Sequence, residues 1–234
     1  MKGIFVTGTD TGVGKSYIGC ALLAGFRRTG LRTVAMKPVA SGSEPTPAGL
    51  RNEDALQLAA HADCKLAYEM LNPYVFQPAI APHIAAQETG SCIEIARIVT
   101  SYQQISALGA DICVVEGAGG WLVPLNETET FADLVINLGL PVVLVVGMRL
   151  GCLNHALLTA ENILSRGVPL LGWVANQVEP AMPRIESNIE TLRSRMPAEL
   201  LGVVGFQPEA ASEKVAELLN IDLLRKRIFR TGSC

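Results

Sequence analysis

Lys15 and Ser16 close a glycine-rich run, Gly8-Thr9-Asp10-Thr11-Gly12-Val13-Gly14-Lys15-Ser16. An apolar, β-branched stretch from Ile4 to Val6 precedes it, and an apolar helical pattern from Tyr17 to Phe26 follows. Strand, glycine loop, Lys-Ser, helix is the order a phosphate-binding loop requires. The glycines let backbone N–H groups turn inward around phosphate oxygens, and the helix start adds unpaired donors and a positive dipole end. In that chemistry Lys15 reaches the β- and γ-phosphates and the Ser16 hydroxyl ligates Mg²⁺. The strict spacing puts its first glycine at position 9, where this chain has Thr9 with Gly8 one place earlier. The alternative is a glycine-rich turn that binds nothing.

Four further residues stand where strands or loops end. Lys37 precedes a proline and a Ser/Gly loop. It is either a second cation against developing negative charge or a solvated lysine at a strand end. Glu116 closes the apolar run Asp111 to Val115 and leads into Gly117-Ala118-Gly119-Gly120. It could hold Mg²⁺ directly or through water, or be an exposed strand-end carboxylate. Asp54 opens a helix, where an acid suits the dipole whatever else it does. Asn176 could read an adenine edge or cap a turn. The segment Leu150 to His155 joins an apolar strand to a helix; it could receive a carboxylate or phosphate, or only connect.

The elements that must position these residues alternate. Strands are expected at Ile4–Val6, Arg32–Met36, Asp111–Val115, Pro141–Val146, Leu170–Asn176 and Leu200–Val204. Helices are expected over 17–26, 53–62, 82–88, 93–108, 130–138 (with Thr130 as N-cap), 154–165, 183–195 and 211–227, the last broken near Asn220. Residues 39–52 read as one loop, and 66–81 resist assignment. Such alternation implies an α/β fold: a mostly parallel central sheet with helices on both faces. Ligands then gather at the carboxyl ends of the strands, which places Lys37, Glu116 and Asn176 on the same edge as Lys15.

A chain of 234 residues suits one domain, 1–234. Net charge is −3 with no basic patch, which argues against nucleic acid. The cluster Arg225-Lys226-Arg227 with Arg230 reads as the solvated end of a helix. No run of 18 apolar residues and no charged-then-apolar leader occurs, so neither a membrane nor export is expected and the location is read as cytoplasmic. The six cysteines lack C-x-x-C spacing and are read as reduced thiols, Cys20 and Cys113 in the core. The three histidines are scattered, so zinc is not expected.

Several stretches together resemble the dethiobiotin synthetase family of P-loop NTPases. They are Val6 to Thr11 with Val13-Gly14-Lys15; Lys37 to Ser43; Leu50-Arg51-Asn52 with Asp54-Ala55; Asn72-Pro73-Tyr74; Pro82-His83; Val115 to Trp121; Leu150-Gly151-Cys152 with Asn154-His155-Ala156; and Gly172 to Asn176. The resemblance implies an ATP-dependent cyclo-ligase. It joins 7,8-diaminononanoate and CO₂ through a carbamate and a carbamic-phosphoric anhydride, releasing ADP and phosphate. It implies Thr11, Lys15 and Lys37 as the catalytic group, with Lys37 on the carbamate and γ-phosphate. Gly12 to Ser16 wrap the phosphates. Ser16, Asp54 and Glu116 hold Mg²⁺. Gly117, Ala118, Gly119, Asn176, Gln177, Gly205, Phe206 and Gln207 complete the nucleotide site. Ser41 positions the diamine, and Gly151, Cys152, Leu153 and Asn154 of the second subunit of a homodimer bind its carboxylate. The chain departs from the family pattern at Gly12, where glutamate is frequent; at Ser16, where threonine is commoner; and at Gly205-Phe206-Gln207, where proline and an aromatic are usual.

Two other readings compete. A partitioning-type switch ATPase would couple hydrolysis to dimerisation, but usually carries a lysine early in the loop, where this chain has Thr9-Asp10-Thr11. An amide-forming synthetase would need an ammonia source or a second domain.

Overall fold

The computed structural model describes residues 1–207 and 210–230, with the backbone only at 230. Six strands form the central sheet: β1 (Lys2–Gly8), β2 (Thr33–Met36), β3 (Ile112–Glu116), β4 (Val142–Met148), β5 (Leu170–Gln177) and β6 (Leu200–Val204). Their order across the sheet is β6-β5-β4-β1-β3-β2, and every pairing is parallel. A parallel sheet needs a crossover between neighbours, and helices supply it on both faces.

Alternation along the strands divides the side chains between those faces. Ile4 and Val6 of β1, Ile112 and Val114 of β3, and Val143 and Val145 of β4 join one core with helices Lys15–Arg28, Glu53–His61, Ser212–Glu217 and Ile221–Arg230. Phe5, Cys113, Val115 and Val142 point the other way, into a core shared with helices Ile95–Ser106 and Phe131–Leu138. A third cluster packs helices Cys152–Ser165 and Ile185–Arg195 on β4 and β5. All of Val142–Met148 is buried, as a strand covered on both sides must be.

Register fixes the functional edge. Val6 pairs with Glu116, Met36 with Val115, Gly8 with Val145 and Asn176 with Gly147. The carboxyl ends of β1, β2, β3 and β5 therefore converge, as expected. The chain reverses its direction of growth around β1, the kind of switch point where α/β sheets open a crevice.

Helix boundaries follow local chemistry. Thr130 does cap its helix: it shares a capping box with Asp133, whose carboxylate accepts from the Thr130 N–H at 2.7 Å. The last helical stretch breaks at Asn220, as expected.

Three expectations change. Residues 39–52 are not one loop: Val39–Ala40 pairs in parallel with Tyr74–Val75, and Glu44–Thr46 forms a small hairpin with Gly49–Arg51. Within 66–81 lies the short helix Tyr68–Leu71. Arg227 is not simply solvated. Its guanidinium donates to the Leu171 carbonyl at 2.5 Å and to Glu199 at 3.1 Å, tying the last helix to the sheet. Cys20 and Cys113 are buried; Cys234 and the Arg230 side chain lie outside the described residues. No helix among the described residues is long and apolar enough to cross a membrane.

Candidate active site

The glycine-rich loop is moulded around Val13. A Cβ at Gly8 would lie 2.5 Å from Val13 Cγ2, and a Cβ at Gly147 would lie 2.7 Å from Val13 Cγ1. Only glycine fits at both places, which explains why the first loop glycine stands at position 8. Thr9 instead ties the loop to β4: its N–H donates to the Val145 carbonyl at 3.0 Å. Gly14 has φ +85°, in the left-handed region, and caps the helix that begins at Lys15. Asp10 holds the loop at its far side, accepting from the Thr11 N–H at 2.7 Å and pairing with Arg149.

Lys15 is 7% exposed, and its ammonium donates to the Asp10 carbonyl at 2.9 Å. Burial, and then the Lys37 charge, push its pKa down from 10.5 to about 8, against the opposing pull of Glu116, Asp54 and Asp10. Lys37 leaves β2 at Met36 and turns its side chain under the loop. Its ammonium donates to Glu116 Oε1 at 2.5 Å, to the Gly117 carbonyl at 3.1 Å and to Asp54 Oδ2 at 3.4 Å. Burial works against that charge, but Glu116 and then Asp54 outweigh it and hold the pKa above the ordinary lysine value. Burial likewise opposes the Asp54 charge, yet Lys37 and the Ser16 hydroxyl keep that carboxyl below its usual range.

Glu116 is completely buried, which removes the reading of an exposed strand-end carboxylate. Its Oε1 accepts from both Ser16 Oγ, at 2.8 Å, and Lys37. Its Oε2 is buried without a partner. Such an orphaned oxygen is costly unless something binds it. Ser16, Asp54 and Glu116 together offer a hydroxyl and two carboxylates, the hard oxygen donors that suit Mg²⁺, whose remaining positions phosphates and water commonly fill. No cluster of three or more His, Cys, Asp or Glu with metal-binding geometry occurs among the described residues.

All these groups border one cavity of about 820 Å³. It also receives Thr11, Gly12, Gly14, Ser41, Ala118, Gly119, Asn176, Gln177, Gly205, Phe206 and Gln207. Two expected nucleotide contacts lie behind its wall. Val13 is buried, its carbonyl accepting from Asn176 Nδ2 at 2.8 Å, and Gly117 offers its carbonyl to Lys37. Gly151, Cys152, Leu153 and Asn154 do not border this cavity. Ser41 Oγ is buried with no partner, as is Ser43 Oγ. Sequence reasoning missed Tyr17, Asn52, Gln57, Val123, Val178 and the Ala79–Pro82 segment as wall residues. Tyr17 reaches across to donate to the Gln207 carbonyl at 2.7 Å, so it pins the loop after β6. Gly12 has open space beside its Cα, so no neighbour fills the position of the frequent loop glutamate.

The AAA domain family matches residues 2–214. An ATP-dependent dethiobiotin synthetase BioD of Pseudomonas aeruginosa is 54% identical over 221 residues, covering 94% of this chain and 97% of that protein. The synthetase of that name from Cellvibrio japonicus is 49% identical, covering 94% and 96%. The chain belongs to the dethiobiotin synthetase family. Among solved structures, this family member resembles a chain of the MinC:MinD cell division protein complex of Aquifex aeolicus, at a TM-score of 0.59 and 15% identity, covering 100% of this chain and 98% of that one. It also resembles a ParA family ATPase of Chlorobium tepidum, at 0.53 and 14%, covering 98% of each. At such identities the likeness concerns the fold alone, so the synthetase rather than the partitioning ATPase is the relative that counts.

Lys15 gives the dethiobiotin synthetase site a pH signature. Relative to the unfolded chain, protonated Lys15 disfavours folding below pH about 8, and this cost is relieved as pH rises toward 10.5. A bound triphosphate favours the charged form and raises the pKa again. Nucleotide binding should therefore drive proton uptake by Lys15 above pH about 8 but not near pH 6.5, where it is already protonated, and affinity should fall as pH climbs past 8. Calorimetry in buffers of different ionisation enthalpy measures this; equal uptake at pH 6.5 and 9 would contradict it.

Proposed function

We propose that the chain catalyses the ATP-dependent synthesis of dethiobiotin from 7,8-diaminononanoate and CO₂, in biotin biosynthesis, as a single domain over 1–234. The supporting observation is the convergence of two buried lysines, Lys15 and Lys37, on one cavity that Ser41 and Asn176 also border. A volume of about 820 Å³ suits a nucleotide with a small co-substrate.

The chemistry runs in three steps. One amine of the diamine attacks the carbon of CO₂ and loses a proton, giving a carbamate. A carbamate oxygen then attacks the γ-phosphorus, and the bond to the bridging oxygen breaks to leave ADP. The second amine attacks the carbonyl carbon of the resulting carbamic-phosphoric anhydride and loses a proton. Phosphate departs and the cyclic urea closes. Lys37 faces the carbamate and the γ-phosphate, where its ammonium offsets the charge that both carry. Lys15, Thr11 and the loop N–H groups hold the phosphates, and preorganised donors of this kind supply much of the acceleration. Ser16, Asp54 and Glu116 hold Mg²⁺, which supplies charge neutralisation on the phosphates. Asn176, Gln177 and Gly205 to Gln207 surround the base. Ser41 Oγ, unpartnered and bordering the cavity, orients the diamine. Gly151 to Asn154 of a second copy take the diamine's carboxylate, so the working form is a homodimer, and its place is the cytoplasm.

The test is phosphate release from ATP with CO₂ present, with and without 7,8-diaminononanoate. Release is expected only when both diamine and CO₂ are supplied. Hydrolysis indifferent to the diamine would remove this reading in favour of a plain ATPase.

A further inference from the structure

Lys37 is held from behind as well as in front. Its backbone N–H donates to the Leu71 carbonyl at 2.8 Å, and its carbonyl accepts from Asn72 Nδ2 at 2.7 Å. No neighbouring strand supplies these bonds; the last residue of helix Tyr68–Leu71 and the Asn72 that follows it do. The second hydrogen of Asn72 Nδ2 goes to the Tyr74 carbonyl at 3.0 Å. Asn72 Oδ1 accepts from the Tyr68 hydroxyl at 3.0 Å, and that hydroxyl accepts from the Asn52 N–H at 2.7 Å. The direction of each bond is fixed by its neighbours. A backbone N–H can only donate, so the Tyr68 hydrogen must face Asn72, and Asn72 must turn its NH₂ toward Lys37.

Asn52 closes the circuit. Its Oδ1 caps helix Glu53–His61 by accepting from the Ala55 N–H at 3.2 Å, which orients Asp54 two positions on from the cap. Its Nδ2 donates to the Ser41 carbonyl at 3.3 Å. Asp54 in turn accepts from the Lys37 ammonium. Lys37, Asn72, Tyr68, Asn52 and Asp54 thus form a closed ring of contacts, with Ser41 attached. Asn52 and Asn72 are 5% and 2% exposed, so water does not readily replace these bonds. The Arg51 guanidinium covers the Tyr68 ring at 4.0 Å. Burial pushes the Tyr68 hydroxyl above its ordinary pKa, so it remains a donor through neutral pH.

We propose that Tyr68 and Asn72, neither of which borders the cavity, are positioning residues that set Lys37 against Asp54 and Ser41 for the carboxylation and phosphoryl-transfer steps. This rests on the function proposed above. Displacement of a reacting group by about an ångström can cost on the order of a hundredfold in rate, and Asn72 holds the carbonyl end of Lys37 beside the Leu71 carbonyl that holds its N–H end.

The experiment is Tyr68→Phe, alone and combined with Lys37→Gln, in the diamine-dependent assay. Alone, it is expected to lower kcat about ten- to a hundredfold while leaving KM for ATP unchanged. In the Lys37→Gln background it should add nothing, because residues that act through one group are not additive. An unchanged kcat, or effects that multiply in the double variant, would overturn the proposal. Absent wild-type turnover overturns both this and the functional reading; normal wild-type turnover with an unaffected Tyr68→Phe overturns the positioning role alone. If Tyr68→Phe does not fold, Asn72→Ser decides. It removes the donor to the Lys37 carbonyl, so kcat should fall about tenfold or more with KM for ATP constant. An unchanged kcat would refute the positioning role.

Discussion

Lys37→Gln is expected to lower turnover by roughly a hundred- to a thousandfold while ATP still binds. The rate falls because glutamine brings no charge to a centre where two anionic groups react. Binding survives because Lys15 and the loop donors are untouched. The same substitution should destabilise the fold. Glu116 is completely buried and its Oε1 meets the Lys37 ammonium at 2.5 Å. Removing one partner of a buried ion pair leaves the other uncompensated, at a cost of about 3 kcal/mol. A urea melt beside single-turnover kinetics separates the two effects. Near-normal turnover would refute the role given to Lys37; unchanged stability would refute the pairing.

Gly14→Ala should weaken nucleotide binding strongly, for two independent reasons. At φ +85° a Cβ costs on the order of 1–2 kcal/mol in backbone strain. That Cβ would also lie 2.3 Å from Asn176 Nδ2, which is held by the Val13 carbonyl at 2.8 Å. Either the asparagine moves from the place beside the base that the proposed function gives it, or the loop moves from the shape proposed to grip the phosphates. Titration with a fluorescent ATP analogue should show affinity reduced at least about tenfold, since 1.4 kcal/mol is already a factor of ten. Gly12→Ala is the control: it carries a similar φ of +72° but meets nothing within 4 Å, so its loss should be smaller. Equal losses would mean that strain alone governs the loop.

Much of this site could be read from residue order. Lys37, Glu116 and Asn176 stand at or just past the ends of β2, β3 and β5, Lys15 opens the helix after the loop that leaves β1, and strand ends are recoverable from apolar runs. Asp54 was different. Its spacing offered only a first-turn acid, and resemblance alone gave it a metal; the 3.4 Å approach of Lys37 is what places it at the site. The hairpin Glu44–Thr46 with Gly49–Arg51 was not legible because its strands are short and largely exposed, so no apolar alternation marks them. The pairing of Val39–Ala40 with Tyr74–Val75 spans two residues a side, below what periodicity detects. Asn52 and Asn72 lie in stretches that carry the family resemblance, but their roles, like that of Tyr68, run through backbone carbonyls and N–H groups brought together only by folding, and spacing does not show that kind of contact.

Val13 works as a peg seated in two notches, one cut by Gly8 in its own strand's end and one by Gly147 across the sheet. The cradle is accordingly cast before any anion arrives. An incoming nucleotide loses little to ordering the chain around itself, and keeps more of its contact energy as affinity. Enlarging Gly147, whose added Cβ would press on Val13 alone, should loosen that cast from the rear and weaken ATP without touching a group that borders the cavity.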